Sequence, residues 1–168
     1  MSPDEDSRSD AAPVFRRGVR LALDWGDARI GVAACDRDGL LAYPLDTVTA
    51  GPAELDRVVA LVAEHEPLEV VVGLPRSLSG ADGPAATKVR ARAEALAARL
   101  AVPVRLVDER LTTVTASRRL REGGKKAKQQ RSLIDAAAAA AILEQAVALE
   151  RSRGGPPGEL VSVPGRSD

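Results

Sequence analysis

The 168-residue chain has almost no aromatic side chains: Phe15, Trp25 and Tyr43 make up the 2% it contains. That scarcity excludes the stacking platforms on which RRM and single-strand-binding modules lay bases, so a nucleic acid partner would be held by its phosphates. With one cysteine, Cys35, and one histidine, His65, the chain has neither a disulfide nor a Cys/His zinc set. No uncharged apolar run reaches the roughly 18 residues that span a bilayer, and Met1 to Arg17 lacks the apolar stretch of a secretory leader. A cytoplasmic protein with no membrane partner is the expectation. Net charge is absent too, 24 Lys+Arg facing 24 Asp+Glu, yet 45% of the residues are apolar. A single domain of this length can bury a sizeable core without staples.

Residues 1–17 and 151–168 are polar and rich in Gly, Pro and Ser, without periodicity, and read as disordered tails around one domain at 18–150. Val19, Leu21 and Leu23 alternate up to Asp24; Trp25-Gly26-Asp27 turns, and Ile30 to Cys35 reads as the second strand of a hairpin. After a turn at Asp36 to Gly39, Leu40 to Ala42 and Asp46 to Thr49 give a third strand of the same antiparallel meander. Beyond Gly51-Pro52 the spacing of Leu55, Val58, Val59 and Val62 predicts an amphipathic helix ending near Glu66-Pro67. Val70 to Val72, closed by Gly73-Leu74-Pro75, is the unbroken run of a central strand covered on both faces and parallel to the first. Val89, Ala93, Leu96 and Leu100 stripe the next helix, and Pro103 to Val107 is the fifth strand. A short helix over 112–120, a polar loop over 122–130 and a last helix from Leu133 to Leu149 complete the pattern. The fold class expected is α/β, with a five-stranded mixed sheet flanked by helices. The small side chains of the alanine run should let that last helix lie close to the sheet.

Asp24 ends one apolar strand and Asp108-Glu109 another, and ligands of α/β sheets gather beyond the carboxyl ends of strands. Asp135 is a third candidate, early in the last helix. Three gathered carboxylates would repel by about 4 kcal/mol per pair at ~4 Å and an effective dielectric near 20. Such a cluster calls for a divalent cation, and oxygen-only ligation points to Mg²⁺ or Mn²⁺. The chemistry that follows is metal-assisted attack of water on a phosphodiester. Each acid also has a plain structural role open to it. Asp24 fits an ordinary turn residue before Gly26; Ser132-Leu133-Ile134-Asp135 fits a helix start; Asp108 and Thr112 both fit N-caps.

Four segments join these residues. Leu23-Asp24-Trp25-Gly26-Asp27-Ala28-Arg29-Ile30-Gly31-Val32-Ala33, Val72-Gly73-Leu74-Pro75, Asp108-Glu109-Arg110-Leu111-Thr112-Thr113 and the run from Asp135 to Leu143 resemble, in order and position, the YqgF/RuvX family. Its members are ribonuclease H-like proteins described as Holliday junction resolvases and as nucleases that mature the 5′ end of precursor 16S ribosomal RNA. The resemblance implies a ribonuclease H-like fold with Asp24, Glu109 and Asp135 as the catalytic and metal-binding acids, and Asp108 as a partner or a cap. It also implies nucleic acid as partner, either precursor rRNA or branched DNA. The ribosome is a further partner it suggests, and monomer and homodimer both stay open.

Arg29 and Arg110 follow the acids closely and suit carboxylates or a scissile phosphate; an ion pair with Asp108 or Glu109 is the plainer role of Arg110. Between Arg105 and Arg131 the chain is locally basic. Arg118 and the loop lysines Lys125, Lys126 and Lys128 are candidates to close over a nucleic acid backbone, against the alternative of a merely solvated loop. Arg76, leaving the central strand, is a further phosphate candidate. Cys35 and His65 read as a core and a surface residue. Two other functions compete. Asp-x-Gly after a first strand also opens sugar kinases and actin-like ATPases, for which the chain is short, since those close a nucleotide between two domains. The other is a nucleic-acid-binding module without turnover.

Overall fold

The computed structural model describes residues 15–77, 79–109 and 127–163, the side chains of 127–132 excepted. Strands β1 (Arg20–Trp25) and β2 (Arg29–Cys35) form the expected hairpin, closed by Gly26 N–H donating to the Arg29 carbonyl at 2.9 Å. The two stretches expected on the third strand merge into one, β3 (Ala42–Thr49), which takes up a register shift opposite Val32/Ala33. Pro44 is tolerated because β3 is an edge strand. The β2–β3 turn is held by the Asp36 carboxylate, which accepts from the backbone N–H of Leu41 at 2.7 Å and of Asp38 at 3.1 Å. The Leu41 bond is the largest of the influences that hold this carboxyl below its ordinary value.

Helix α1 (Glu54–His65) stops where Glu66 turns left-handed at φ 47, ahead of Pro67. Strand β4 (Glu69–Leu74) then enters parallel to β1, and all six of its residues are buried. Helix α2 (Pro84–Ala97) opens on a proline, whose missing N–H costs nothing in a first turn. Strand β5 (Val104–Asp108) adds parallel to β4.

Helix α3 (Ala127–Arg153) begins earlier than its apolar pattern announces, so residues 127–130 are helix rather than loop. Ala127-Lys128-Gln129-Gln130-Arg131 carries no apolar stripe but consists of strong helix formers, which extend an existing helix at little cost. The short helix expected over 112–120 and the rest of the loop lie outside the described residues.

Among the described residues the sheet has six strands, not five, in the order β3-β2-β1-β4-β5-β6. The added strand β6 (Glu159–Leu160) pairs antiparallel with β5 inside the segment expected to be a loose tail, and Val161 beyond it is buried. Two ladder residues and one valine are too few to leave a periodic signal. At the other end, Phe15 is also held in place: the guanidinium groups of Arg20 and Arg151 lie 4.3 and 4.1 Å from its ring centroid.

One face of the sheet packs Leu21, Leu23, Val70 and Val72 against α1 and α2. The other packs Ala22, Ala33, Cys35, Val71 and Val107 against α3 through Ala139, Leu143 and Ala146. Burial pushes the Cys35 thiol up, as suits a core residue. At the pole where β1 and β4 start, three arginines enclose two fully buried acids. Arg16 reaches Glu69 at 2.8 Å and Glu150 at 2.7 Å, Arg20 reaches Glu150 at 3.0 Å, and Arg105 reaches Glu69 at 3.2 Å. Burial alone would raise the Glu150 carboxyl, but hydrogen bonds from Arg16 and the charges of Arg20 and Arg16 hold it below the ordinary carboxylate range.

Candidate active site

The other pole of the sheet, where β1, β4 and β5 end, carries the predicted acids. Asp24 is buried near the end of β1, directly opposite Gly31 on β2. On its other side runs β4, where Gly73 lies one residue beyond the Leu23–Val72 pair. Asp24 therefore stands between two glycines on adjacent strands, and each gives up its side-chain space to a neighbour. A Cβ on Gly31 would run into the backbone carbonyl of Asp135. A Cβ on Gly73 would meet the tip of Ile142 and lie 3.9 Å from Cγ of Glu109, so the Glu109 side chain leans back across β4. These two vacancies bring the last helix and the end of β5 over the strand positions beside Asp24.

Asp24 and Glu109 line one cleft of about 420 Å³, together with Gly26, Pro75, Lys88 and Arg92. Asp135 is also buried, and its Oδ2 accepts from Nε of Arg29 at 2.9 Å. Arg29 thus orients a carboxylate, one of the two roles expected of it. Among the described residues, no group of three or more His, Cys, Asp or Glu side chains is already arranged to hold a metal ion. The donors are nonetheless all carboxylate oxygens, the hard set that Mg²⁺ and Mn²⁺ prefer.

Arg76 turns away from these acids toward Asp82 at 3.7 Å and Glu159 at 3.6 Å. Arg110, Arg118, Lys125, Lys126 and the side chain of Lys128 lie outside the described residues. Two cations that the sequence reading missed line the cleft instead. Lys88 and Arg92, one turn apart on α2, approach the exposed Asp27 carboxylate at 4.0 and 3.3 Å, and Arg92 also donates to the Gly26 carbonyl at 3.5 Å. Their i, i+4 spacing was the available signal, but on an amphipathic helix it cannot be told from an ordinary solvated face.

Residues 18–149 match the family described as "RuvX: Holliday junction resolvase". The chain belongs to the RuvX family. A relative from Streptomyces coelicolor, named "Putative pre-16S rRNA nuclease", is 60% identical over 166 residues, covering 97% of this chain and 99% of its own. One of the same name from Thermobifida fusca is 58% identical over 155 residues, covering 88% and 98%. Among solved structures, Thermus thermophilus RuvC in complex with a Holliday junction substrate superposes with a TM-score of 0.55 at 19% identity, over 83% of this chain and 99% of that one. At that identity the likeness speaks for the fold, which is ribonuclease H-like as the RuvX motifs imply.

Proposed function

We propose that the chain is a divalent-metal-dependent endonuclease hydrolysing phosphodiester bonds in structured nucleic acid. Its substrate is the 5′ end of precursor 16S rRNA, which makes it a cytoplasmic factor of ribosome biogenesis. The observation that supports this reading is the placement of Asp24 between Gly31 and Gly73, with Asp135 over Gly31 and Glu109 at the edge of the space beside Gly73. The names of the relatives supply the substrate.

Asp24 and Glu109 would hold a divalent cation, with Asp135 joining them as it leaves Arg29. Such an ion supplies neutralisation of phosphate charge and activation of the attacking water. The chain's own part is to pre-position the carboxylates in a buried setting where their charge is weakly screened. Water attacks phosphorus, the bond from phosphorus to the leaving oxygen breaks, and that oxygen takes up a proton. Arg29, once released from Asp135, is placed to offer its guanidinium to a phosphate oxygen.

A four-way DNA junction is the competing substrate, favoured by the description of the family. Cutting a junction on both sides requires two such sites in a symmetric dimer, whereas RNA trimming needs only one. The deciding test is manganese-dependent cleavage of a labelled ribosomal precursor beside a labelled four-way junction, with Asp24→Asn, Glu109→Gln and Asp135→Asn in parallel. Preferential cleavage of the precursor, lost in all three variants, supports the proposal. Preference for the junction reassigns the substrate, and variants as active as the parent overturn the site.

A further inference from the structure

Beside the cleft, and sharing Trp25 and Arg92 with it, lies a second cavity of about 290 Å³ between the start of α1 and the exposed side of α2. That is just under the roughly 300–1,000 Å³ typical of small-ligand pockets, enough for one base and not for a larger ligand. It is lined by Pro52, Leu55, Ala91 and Ala95, with the largely buried Trp25 beneath them. Two polar groups also line it. The Glu54 carboxylate is fixed by accepting from the Trp25 indole N–H at 3.0 Å, and the guanidinium of Arg92 forms the border with the cleft. An apolar cavity with one carboxylate and one guanidinium at its border suits a single nucleobase without an aromatic stacking platform: the aliphatic lining takes the ring, and the carboxylate accepts from an amino or imino N–H on its rim.

The cations on the border have the complementary chemistry. Lys88 and Arg92 are drawn together by Asp27, whose side chain is 77% exposed and therefore weakly competitive with a phosphate. A strand whose scissile phosphate lies over Asp24 and Glu109 would carry a neighbouring phosphate past this pair.

We infer that the cavity and the Lys88–Arg92 pair form a nucleotide subsite that takes one unpaired nucleotide of the substrate strand adjacent to the scissile phosphate, its base in the cavity and its phosphate on the two cations. The inference rests on the cleft being the site of phosphodiester hydrolysis. It confines cleavage to places where one nucleotide is free to leave the stack.

The test measures binding separately from turnover. Fluorescently labelled oligoribonucleotides, and a set of the same sequence with one abasic nucleotide moved stepwise along it, are titrated in the Asp24→Asn background without divalent metal. Lys88→Gln and Arg92→Gln should each weaken binding roughly tenfold and lower the slope of affinity against salt by about one. Ala95→Trp, at an exposed position, fills the cavity; it should weaken binding roughly tenfold with the salt slope unchanged. One abasic position should reproduce that loss and add nothing to it in Ala95→Trp. Ala91→Trp repeats the experiment should the first variant misfold by circular dichroism. The inference is overturned if the tryptophan variants bind like the parent, if no abasic position matters, or if the two cation variants leave the salt slope unchanged. These readouts do not depend on turnover, so an Asp24→Asn protein that still cleaves would sink the catalytic assignment alone.

Discussion

Gly31 and Asp135 are in backbone contact: the space a side chain would fill on the strand is occupied by the helix carbonyl. Because that obstacle is main chain, Gly31→Ala must push α3 off β2. The variant should lose about 1–3 kcal/mol of stability, the usual cost of overpacking, and should cleave far more slowly than its folded fraction allows. Gly73→Ala meets only the tip of Ile142, which can swing aside, and should be milder on both counts. Urea unfolding and cleavage rates of the two variants together check the contrast. Equal activity would mean that the approach of α3 does not set the position of Asp135.

Metal binding should be visible as stability. Saturation with Mn²⁺ at 100 times its dissociation constant should stabilise the parent by about 2.7 kcal/mol, and Asp24→Asn should lose most of that gain. Without metal, the same substitution relieves repulsion among neighbouring carboxylates and should leave the protein at least as stable as the parent. Thermal or urea unfolding with and without Mn²⁺ reads both effects. A marked loss in the metal-free variant would make Asp24 a structural turn residue.

Arg29 holds the Asp135 carboxylate at 2.9 Å and therefore competes with any cation for it. Arg29→Gln should lower metal-free stability by about 1.5–3 kcal/mol, the range of a hydrogen bond to a charged group, and should tighten Mn²⁺ binding severalfold. Calorimetric titration measures the second effect. An unchanged affinity would show that the guanidinium and the ion do not share the carboxylate.

The opposite pole predicts the acid limit of the fold. A depressed carboxyl pKa gives stability that is present in full above the unfolded value, about 4.3, and is lost as pH falls through the folded value. Glu150 is such a group, held down by Arg16 and Arg20 against its burial. Stability should therefore decline below about pH 4. Glu150→Gln should cost about 3–5 kcal/mol at neutral pH, because it leaves buried arginine charge uncompensated, and should show a shallower decline with acid. Urea midpoints between pH 7 and 3 test the sign: a variant as acid-sensitive as the parent would exclude Glu150 as a source of the loss.

Much of this architecture was written in the apolar pattern. Val70 to Val72 announced a strand buried on both faces, and the spacing of Leu55, Val58, Val59 and Val62 announced α1; both are as expected. The pattern went silent where structure rests on few side chains. Residues 127–130 are helical without an apolar stripe in their sequence, and Glu159–Leu160 join the sheet by borrowing the edge of β5. The acids were legible through their positions at strand ends and through the resemblance. What no local pattern could supply was the pair of glycines beside Asp24, since Gly31 and Asp135, like Gly73 and Ile142, lie far apart along the chain. Lys88 and Arg92 were hidden for the converse reason: a lysine and an arginine four apart on a polar helix face are commonplace until a cleft is seen beneath them.

Helix α3 carries Asp135 toward one end and Glu150 toward the other, about 22 Å apart at 1.5 Å per residue. Arg16, ahead of the first strand, grips the far end through two hydrogen bonds from its side chain and one from its backbone N–H. The helix is thus a rod moored by the amino-terminal segment, with the Asp135 carboxylate set more than two turns inside its other end. Proteolytic clipping between Arg17 and Gly18 would slip that mooring without touching any acid of the cleft. Its imprint on turnover would measure how far Asp135 depends on an anchor at the opposite pole.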